Sequence, residues 1–427
     1  MLMTNANHPS INKLQVPSSH PFRLVLFVRV FPRRSETFIV QKFLGLLEQG
    51  WDVHIVCNRC TAEDRHLFPQ LPEWKELRSR VHVTRLARNK FAEVLLFPFS
   101  FLRVLWRAPK SSLKYLGRGW RHFGPYILHL FYLDAEFIIL NPALIHYEFS
   151  TLAYGHMYQK KLMDCRITVS FRGTDINTAR LDQPDFYSQI WEQADALHLV
   201  SEDLWKQAQK QGCPSNKPHT VILPAIDTAF FAPGVVKQDE SVGIPARPYH
   251  ILSVGRLDWV KGYEYALQAI KCLMEQGIAC EYHIIGEGTF SDAVRFTIHD
   301  MGLENIVTLL GPGSRSEVKE QMEWADVFFH AAVSEGFCVS VLEAQAMDLP
   351  VVCTDAGGLK ENVANEETGF VVPRRDWRAM AEKLALLSAD SNLRVRMGKA
   401  GRERVFKKFN VTTLVASFDQ FYRQVLS

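Results

Sequence analysis

The sequence predicts an α/β protein made of two Rossmann-like, doubly wound domains. Its 427 residues are enough for two or three domains. The content of 47% hydrophobic and 22% charged residues is that of an ordinary globular protein, which argues against a mainly disordered, collagen-like or coiled-coil chain. Two separate series of alternating strand and helix patterns are present, and such alternation is typical of parallel sheets covered by helices.

The first series begins at residue 22. Residues 22–31 form an apolar, β-branched run that predicts a buried parallel strand. Residues 35–37 are polar and precede a helical pattern that ends at Gly50. Residues 52–57 predict the next strand, so strand, helix and strand together form one βαβ unit.

The second series runs from residue 250 to residue 376. It predicts strands at 251–255, 281–285, 305–310, 326–330, 351–354 and 369–372, and helices at 263–276, 314–324, 340–347 and 359–363. Residues 233–248 combine proline, glycine and charge and predict a linker between an amino-terminal domain (1–232) and a carboxyl-terminal domain (249–408). In the remaining segment, 409–427, residues 411–426 predict a final amphipathic helix.

Charge is distributed unevenly along the chain. The 49 Lys and Arg residues against 46 Asp and Glu residues give a net charge of +3, which is low for a dedicated nucleic-acid binder. Residues 75–122 alone hold twelve basic and two acidic residues, a net charge of +10, with aromatic residues between them. Such a segment suits the surface of an anionic membrane, although a solvated basic face and RNA binding are alternatives.

Targeting signals and cysteine patterns point to an intracellular protein. The first twenty residues are polar, and no run of about 20 apolar residues occurs, so we expect a cytoplasmic protein that is at most peripheral on the inner face of the plasma membrane. Eight cysteines are spread along the chain, which does not suggest a disulfide framework. Cys57 and Cys60 form a lone C-x-x-C, for which the end of a buried strand is favoured over a zinc or redox site.

The first candidate site is the segment 253–262, which follows a predicted strand and opens a helix. Ligands bind at the carboxyl ends of strands in doubly wound sheets, and free N–H groups at a helix start favour an anion. Arg256 and Lys261 add two cations across the turn after Gly255, which suits a diphosphate. Two solvated surface cations are the alternative. Neither the G-x-G-x-x-G nor the G-x-x-x-x-G-K-[ST] pattern is present at the corresponding turns, so a standard dinucleotide or P-loop site is not supported.

The second candidate site is the segment 334–343. Glu335 falls in the loop after the strand that ends near residue 330, and Glu343 falls inside the following helix. Glu335 could accept hydrogen bonds from sugar hydroxyls and Glu343 from ribose hydroxyls, while Gly336 permits close approach of the backbone. A glutamate at a helix start and an exposed helical glutamate are the alternative.

These motifs together resemble glycosyltransferase family 4, the retaining enzymes of GT-B fold. Residues 255–262 fit G-R-L-x-x-x-K-G and residues 335–343 fit E-G-F-x-x-x-x-x-E. Residues 224–231, 355–361 and 368–372 are similar to the family's linker entry, its glycine-glycine-x-x-glutamate segment and its late glycine strand. Residues 31–39 are similar to the F-P-x-x-S-E-T-F-I start of members that build bacterial exopolysaccharides, such as colanic-acid-type transferases.

The resemblance implies a GT-B architecture with two domains facing a cleft and a last helix that crosses back to the first domain. It implies a glycosyltransferase that moves a hexosyl unit, with retention and without a metal or cofactor, from a UDP- or GDP-linked sugar to a saccharide or lipid-linked acceptor in exopolysaccharide or surface-glycan synthesis. It makes Arg256, Lys261 and Glu335 catalytic. The implied sugar-donor-binding residues are Gly255, Gly286, Gly288, Gly336, Phe337, Cys338, Val339 and Glu343, and the implied amino-terminal cleft residues are Ser35, Glu36, Thr37, His146, Arg172, Gly173 and Asp175.

The sequence departs from the family pattern at two positions. Arg172 stands where the family commonly has the histidine of H-G-x-D, and Glu148 stands at the second histidine of an H-x-H-F-like segment that begins at His146. Arginine cannot act as a neutral base at pH 7, although it could hydrogen-bond a sugar or diphosphate oxygen. A non-catalytic nucleotide-sugar-binding subunit is therefore the alternative function. A dehydrogenase is disfavoured because the glycine fingerprint is missing.

Overall fold

The computed structural model describes residues 22–33, 36–60, 77–84, 90–234 and 247–427. The described residues form two parallel sheets, each covered by helices, and the predicted pair of doubly wound Rossmann-like domains is confirmed. The predicted linker 233–248 falls mostly on 235–246, outside the described residues.

Within the described residues, the amino-terminal sheet has seven strands. These are β1 (Arg23–Val30), β2 (Asp52–Arg59), β3 (Val81–Val83), β4 (Leu144–Tyr147), β5 (Arg166–Phe171), β6 (Ala196–Leu199) and β7 (His219–Val221). Their order is β3-β2-β1-β4-β5-β6-β7, with every neighbouring pair parallel. The order reverses between β1 and β4, which is the topological switch point of this sheet.

Ten α-helices belong to the described part of this domain. They are α1 (Thr37–Glu48), α2 (Lys90–Arg107), α3 (Pro109–Phe123), α4 (Ile127–Leu133), α5 (Ala135–Leu140), α6 (Ser150–Ala153), α7 (Gln159–Met163), α8 (Gly173–Asn177), α9 (Ser188–Gln193) and α10 (Glu202–Lys210). The inward side chains of α1, among them Ile39, Phe43 and Leu46, pack in one core cluster with Leu24 and Leu26 of β1. This packing is why the apolar period of α1 was visible in the sequence.

The carboxyl-terminal sheet has six strands. These are β8 (Tyr249–Val254), β9 (Cys280–Ile285), β10 (Val307–Gly311), β11 (Val327–His330), β12 (Val351–Thr354) and β13 (Gly369–Val372). The order β10-β9-β8-β11-β12-β13 is the doubly wound order of a dinucleotide-binding sheet, and its switch point lies between β8 and β11.

The helices of the second half are α11 (Tyr263–Glu275), α12 (Ser291–Asp300), α13 (Arg315–Trp324), α14 (Val339–Ala346), α15 (Leu359–Asn362), α16 (Trp377–Ala389), α17 (Ser391–Lys408) and α18 (Val411–Leu426). The predicted elements of this half are all present, with ends that differ by one or two residues. In the first half, β2 runs two residues past the predicted end at Cys57, because backbone pairing with β1 continues to Arg59 beyond the last apolar side chain.

Helix α18 returns to the amino-terminal domain, as the resemblance implied. Gly45 of α1 lies directly against Val415, and the indole nitrogen of Trp51 donates to Asp419 Oδ1 at 2.7 Å. Tyr422 is fully buried against the Trp51 ring, with 5.9 Å between ring centroids. Helix α18, which continues the chain from the second domain, therefore packs on the first domain and joins the two on this side. Among the described residues, no helix combines the length and apolar content needed to cross a bilayer.

Candidate active site

The motif residues of the second domain meet at the carboxyl edge of its sheet. Gly255 follows β8, Gly286 follows β9, and the loop that carries Glu335 follows β11. The Val333 N–H donates to the Val260 carbonyl at 2.8 Å, which ties the loop after β11 to the turn after β8. The site therefore lies at the switch point between β8 and β11, where doubly wound sheets bind ligands.

Lys261 and Glu335 form the central contact of the site. Lys261 Nζ lies 2.5 Å from Glu335 Oε2, and the two side chains are only 13% and 15% exposed. Burial works to raise the pKa of Glu335, but Lys261 and His330 outweigh it and hold that pKa at about 2. Burial works against the Lys261 ammonium, and Glu335 overcomes it, so the pKa of Lys261 is raised. The site thus carries a fixed ion pair at neutral pH.

His330 and Cys338 complete this cluster. His330 Nε2 lies 3.3 Å from Glu335 Oε2 and 3.5 Å from Cys338 Sγ. Burial opposes a charged His330, but the neighbouring Cys338 and Glu335 raise its pKa to about 9. Burial also opposes a Cys338 thiolate, and His330 together with Lys261 lowers the pKa of the thiol. His330 was missed by the sequence analysis, although a histidine at the end of a buried strand beside the switch point was a usable signal.

Arg256, unlike Lys261 and Glu335, is exposed to solvent. Its side chain is 63% exposed, and the guanidinium lies 3.9 Å from Asp258 Oδ2. Lys261 is instead held in the turn Trp259–Lys261, which Asp258 caps through the Val260 N–H. The two predicted cations therefore differ: Lys261 is fixed against Glu335, and Arg256 is open to a ligand arriving from solvent.

Glu343 lies on α14, and its side chain is partly buried. Burial raises its pKa to about 7, and Arg315 opposes that rise. Arg315 lies 3.7 Å from Asp227 and stacks on the Phe230 ring at 4.3 Å. Glu343 is therefore half-buried rather than the exposed helical glutamate of the alternative interpretation. Its carboxyl group changes charge near neutral pH.

The predicted glycine positions are sites of close backbone approach. A side chain on Gly286 would overlap the Gly255 carbonyl, and one on Gly288 would overlap the backbone of Leu257. These contacts hold the β9 loop against the β8 turn.

The segment from Gly336 to Val339 is fixed by its surroundings. Phe337 is buried with its ring 5.8 Å from that of Phe409, so its side chain faces the core. Asn362 accepts from the Cys338 N–H at 3.1 Å and donates to the Cys338 carbonyl at 2.9 Å. Val339 is the first residue of α14. Gly336 and Val339 thereby place the start of a helix beside Glu335.

Arg172 is held in place by a buried ionic network in the first domain. Its Nη2 lies 3.2 Å from Glu148 Oε2, and its guanidinium stacks on Phe38 at 3.8 Å. The other oxygen of Glu148, which is fully buried, pairs with Lys42. Burial lowers the pKa of Lys42 to about 8 despite that pair. Neither Lys42 nor the Glu148–Arg172 pairing was found from the sequence, because their contacts join helix and strand residues far apart in the chain.

Three of the residues implied for the cleft make contacts that fix the first domain. His146 is fully buried inside the sheet and hydrogen-bonds Thr168 and Ser170, each at 2.8 Å, which is a structural role. Asp175 accepts from the Arg172 N–H at 3.0 Å and fixes the turn before α8. Glu36 pairs with Arg33 at 3.2 Å, and burial raises its pKa.

Two further predicted cleft positions complete the list. Thr37 is the first residue of α1. Ser35 lies outside the described residues.

The two domains touch beside the ion pair. A side chain on either Gly173 or Gly336 would overlap the backbone of the other. On the same side of the cleft, the Glu361 carboxylate accepts from the N–H groups of Glu202 and Asp203, both at 3.0 Å, and so caps α10 from the opposite domain. The backbone segments that carry Arg172 and Glu335, each next to one of the touching glycines, therefore meet at the domain contact.

A separate surface is formed by α2 and α3. Large apolar side chains protrude from it, with Phe99, Trp106 and Leu113 at 76%, 83% and 67% exposure. Residues 94–133 contain no acidic residue, and exposed basic residues such as Lys110 and Arg121 lie along the same hairpin. Of the basic segment 75–122, residues 75, 76 and 85–89 are outside the described part of the chain.

Comparison with known proteins identifies the carboxyl-terminal half. Residues 236–404 match the family described as glycosyl transferases group 1. The chain carries a glycosyltransferase group 1 domain. The whole chain is 28% identical over 401 residues to the putative colanic acid biosynthesis glycosyltransferase WcaL of Escherichia coli (strain K12), covering 90% of this chain and 95% of that protein. It is 26% identical to the amylovoran biosynthesis glycosyltransferase AmsK of Erwinia amylovora, covering 91% and 96%.

Solved structures confirm the GT-B fold. The sucrose-phosphate synthase of Thermosynechococcus elongatus superimposes with a TM-score of 0.72 at 19% identity, over 95% of this chain and 99% of that one. Anabaena HepE in complex with UDP-glucose superimposes with a TM-score of 0.69 at 14% identity, over 94% and 100%. At these identities the likeness shows the fold alone. The resemblance to exopolysaccharide glycosyltransferases, drawn from the motifs, is likewise confirmed by the curated relatives.

Proposed function

We propose that this glycosyltransferase is a retaining, metal-independent hexosyltransferase that uses a nucleotide-diphosphate sugar. Its acceptor is a saccharide or a lipid-linked saccharide in exopolysaccharide or surface-glycan synthesis. The observation that carries the proposal is the Lys261–Glu335 pair at the switch point, 2.5 Å apart and next to the contact between Gly336 and Gly173 of the other domain. The names of WcaL and AmsK support exopolysaccharide synthesis. HepE, which is crystallised with UDP-glucose, supports a nucleotide sugar as the sugar donor.

The chemical task is to stabilise the negative charge that develops on the departing diphosphate. Arg256 reaches it from solvent, and Lys261 turns from Glu335 towards it, so that two cationic side chains take the place of a metal. Glu335, ionised because its pKa is about 2, accepts hydrogen bonds from the hydroxyls of the transferred sugar. Glu343 accepts from the ribose. Gly255 lets the nucleotide approach the backbone, and Gly286 and Gly288 let the β9 loop pack against the β8 turn beside it.

Retention follows if the acceptor hydroxyl attacks the face from which the diphosphate leaves, with a diphosphate oxygen taking its proton. Arg172 remains a cation at pH 7 and cannot act as that base. It instead donates hydrogen bonds to the sugar or the diphosphate, which suits its fixed position on Phe38. Contact between Gly173 and Gly336 closes the cleft and excludes water, which limits hydrolysis of the sugar donor.

A screen of UDP- and GDP-linked sugars tests this function. Calorimetry with intact nucleotide sugars identifies the donor, and release of nucleoside diphosphate in the presence of lipid-linked saccharides measures transfer. Turnover that persists in EDTA, with a product of retained anomeric configuration, is the expected result. Binding without turnover of any donor–acceptor pair would favour the second candidate, a non-catalytic nucleotide-sugar-binding subunit, which the arginine at position 172 motivates.

We also propose that the α2–α3 hairpin binds the inner face of the plasma membrane, where a lipid-linked acceptor is available. Its exposed apolar side chains surrounded by basic residues match an anionic interface. The protein should sediment with vesicles that contain anionic lipid, and replacing Phe99 and Trp106 by serine should abolish this binding. The matched control is Phe296→Ser, which changes an aromatic residue of 68% exposure on the other domain. If binding depends neither on anionic lipid nor on the Phe99→Ser/Trp106→Ser change, the hairpin is a solvated basic face and not a membrane-binding surface.

A further inference from the structure

We infer that His330, Glu335 and Cys338 form a binding site for a thiophilic divalent cation such as Zn²⁺, and that its occupation inhibits the enzyme. One ligand atom from each residue, an imidazole nitrogen, a carboxylate oxygen and a thiol sulfur, lies within 4.8 Å of the others. Cysteine with histidine selects zinc and related soft cations over Mg²⁺ or Ca²⁺.

Two of the three separations between these atoms match those expected around one ion. Zn–S and Zn–N bonds of about 2.3 and 2.0–2.1 Å at a tetrahedral angle place sulfur and nitrogen about 3.5 Å apart, and nitrogen and oxygen about 3.3 Å apart. The observed separations are 3.5 Å from His330 Nε2 to Cys338 Sγ and 3.3 Å from His330 Nε2 to Glu335 Oε2. Since Nε2 carries at most one hydrogen, a single N–H cannot satisfy both neighbours fully, whereas a cation between them would bond all three.

The ligands are held by the rigid parts of the domain. His330 ends β11, in the interior of the sheet, and Cys338 precedes the first turn of α14. Asn362 holds the Cys338 peptide group from both sides, and Ser340 Oγ donates to the Val254 carbonyl at 3.0 Å. Such support around the ligands is what preorganises a metal site.

Inhibition follows from the position of Lys261. Its ammonium lies on the same Glu335 oxygen, Oε2, that faces His330. A divalent cation at that oxygen repels the ammonium and withdraws the Glu335 carboxylate from any sugar hydroxyl. Coordination also releases to solvent the proton on His330 Nε2 and any proton on the Cys338 thiol, so binding strengthens as the pH rises. The cation therefore competes with the two side chains assigned above to the sugar donor.

The test uses the full-length chain, stripped with EDTA and titrated with Co²⁺ as a spectroscopic probe. We expect one equivalent with a thiolate-to-cobalt charge-transfer band that Zn²⁺ abolishes. Cys338→Ser should remove the band, and His330→Gln should weaken binding at least tenfold. The control Cys57→Ser/Cys60→Ser removes the other candidate thiol pair and should leave the band unchanged.

Two outcomes would overturn the site: a band that survives Cys338→Ser, or one that disappears with the Cys57/Cys60 control. A Zn²⁺-dependent rise in the thermal midpoint of the wild type, lost in His330→Gln, provides a second measurement if Cys338→Ser does not fold. Inhibition of sugar transfer by Zn²⁺ should likewise be relieved in His330→Gln relative to its own metal-free rate. The cobalt spectrum does not depend on turnover, so a failure of the proposed activity is distinguishable from a failure of the metal site.

Discussion

The affinity for the nucleotide sugar should fall as the pH drops through 7 because of Glu343. Its pKa is raised to about 7 by burial, so the carboxylate that accepts from the ribose is present above that pH and lost below it. The apparent dissociation constant scales with the ratio of total to ionised Glu343. It should therefore rise about tenfold between pH 8 and pH 6, which corresponds to about 1.4 kcal/mol.

Calorimetry with an intact nucleotide sugar measures this effect. The diphosphate of such a sugar is a diester that stays ionised over the range, so its own titration does not contribute. Glu343→Gln should bind with an affinity that changes little from pH 6 to pH 8. The matched control Glu382→Gln, at a residue whose side chain is 71% exposed, should keep the wild-type pH dependence. A wild-type affinity that does not change with pH, or a pH dependence that survives Glu343→Gln, would refute the assignment.

Two further predictions concern the buried network and the domain contact. Lys42→Met removes one of the two cations that pair with the buried Glu148 carboxylate, so it should lower the free energy of unfolding by about 3 kcal/mol. Urea unfolding measures this loss against the control Lys407→Met, at an exposed lysine. Equal stability of the two variants would contradict the prediction. Gly336→Ala forces a methyl group into the backbone of Gly173, so it should lower kcat more than it weakens binding of the sugar donor. A change in donor affinity alone would count against a role for domain closure.

The sequence predicted the regular parts of both domains because their signals are local. The apolar period of α1 and the strand and helix alternation from residue 250 onwards are fixed by short-range patterning, and they match β8 to β13 closely. Glycines that precede or follow these strands marked the turns of the site. The position of the site at the switch point then followed from topology alone.

The missing parts of the site depend on contacts between distant segments. Lys42 and Glu148 are 106 positions apart and meet only when α1 packs on the sheet. His330 and Lys261 are brought to one carboxylate by two different strands. The full burial of His146 was not predictable from the motif that contains it, because helix α18 covers that part of the sheet and packs Phe418 and Tyr422 against the imidazole.

The most direct test of the account is the rate of sugar transfer by Lys261→Ala. Because the Lys261 ammonium stabilises the departing diphosphate in the proposed mechanism, kcat should fall about 10²- to 10³-fold, the loss typical of one such electrostatic contact. Lys407→Ala, at an exposed lysine of α17, should retain the wild-type rate. A Lys261→Ala enzyme that folds, binds the nucleotide sugar and transfers the sugar within about twofold of the wild-type rate would contradict the central claim.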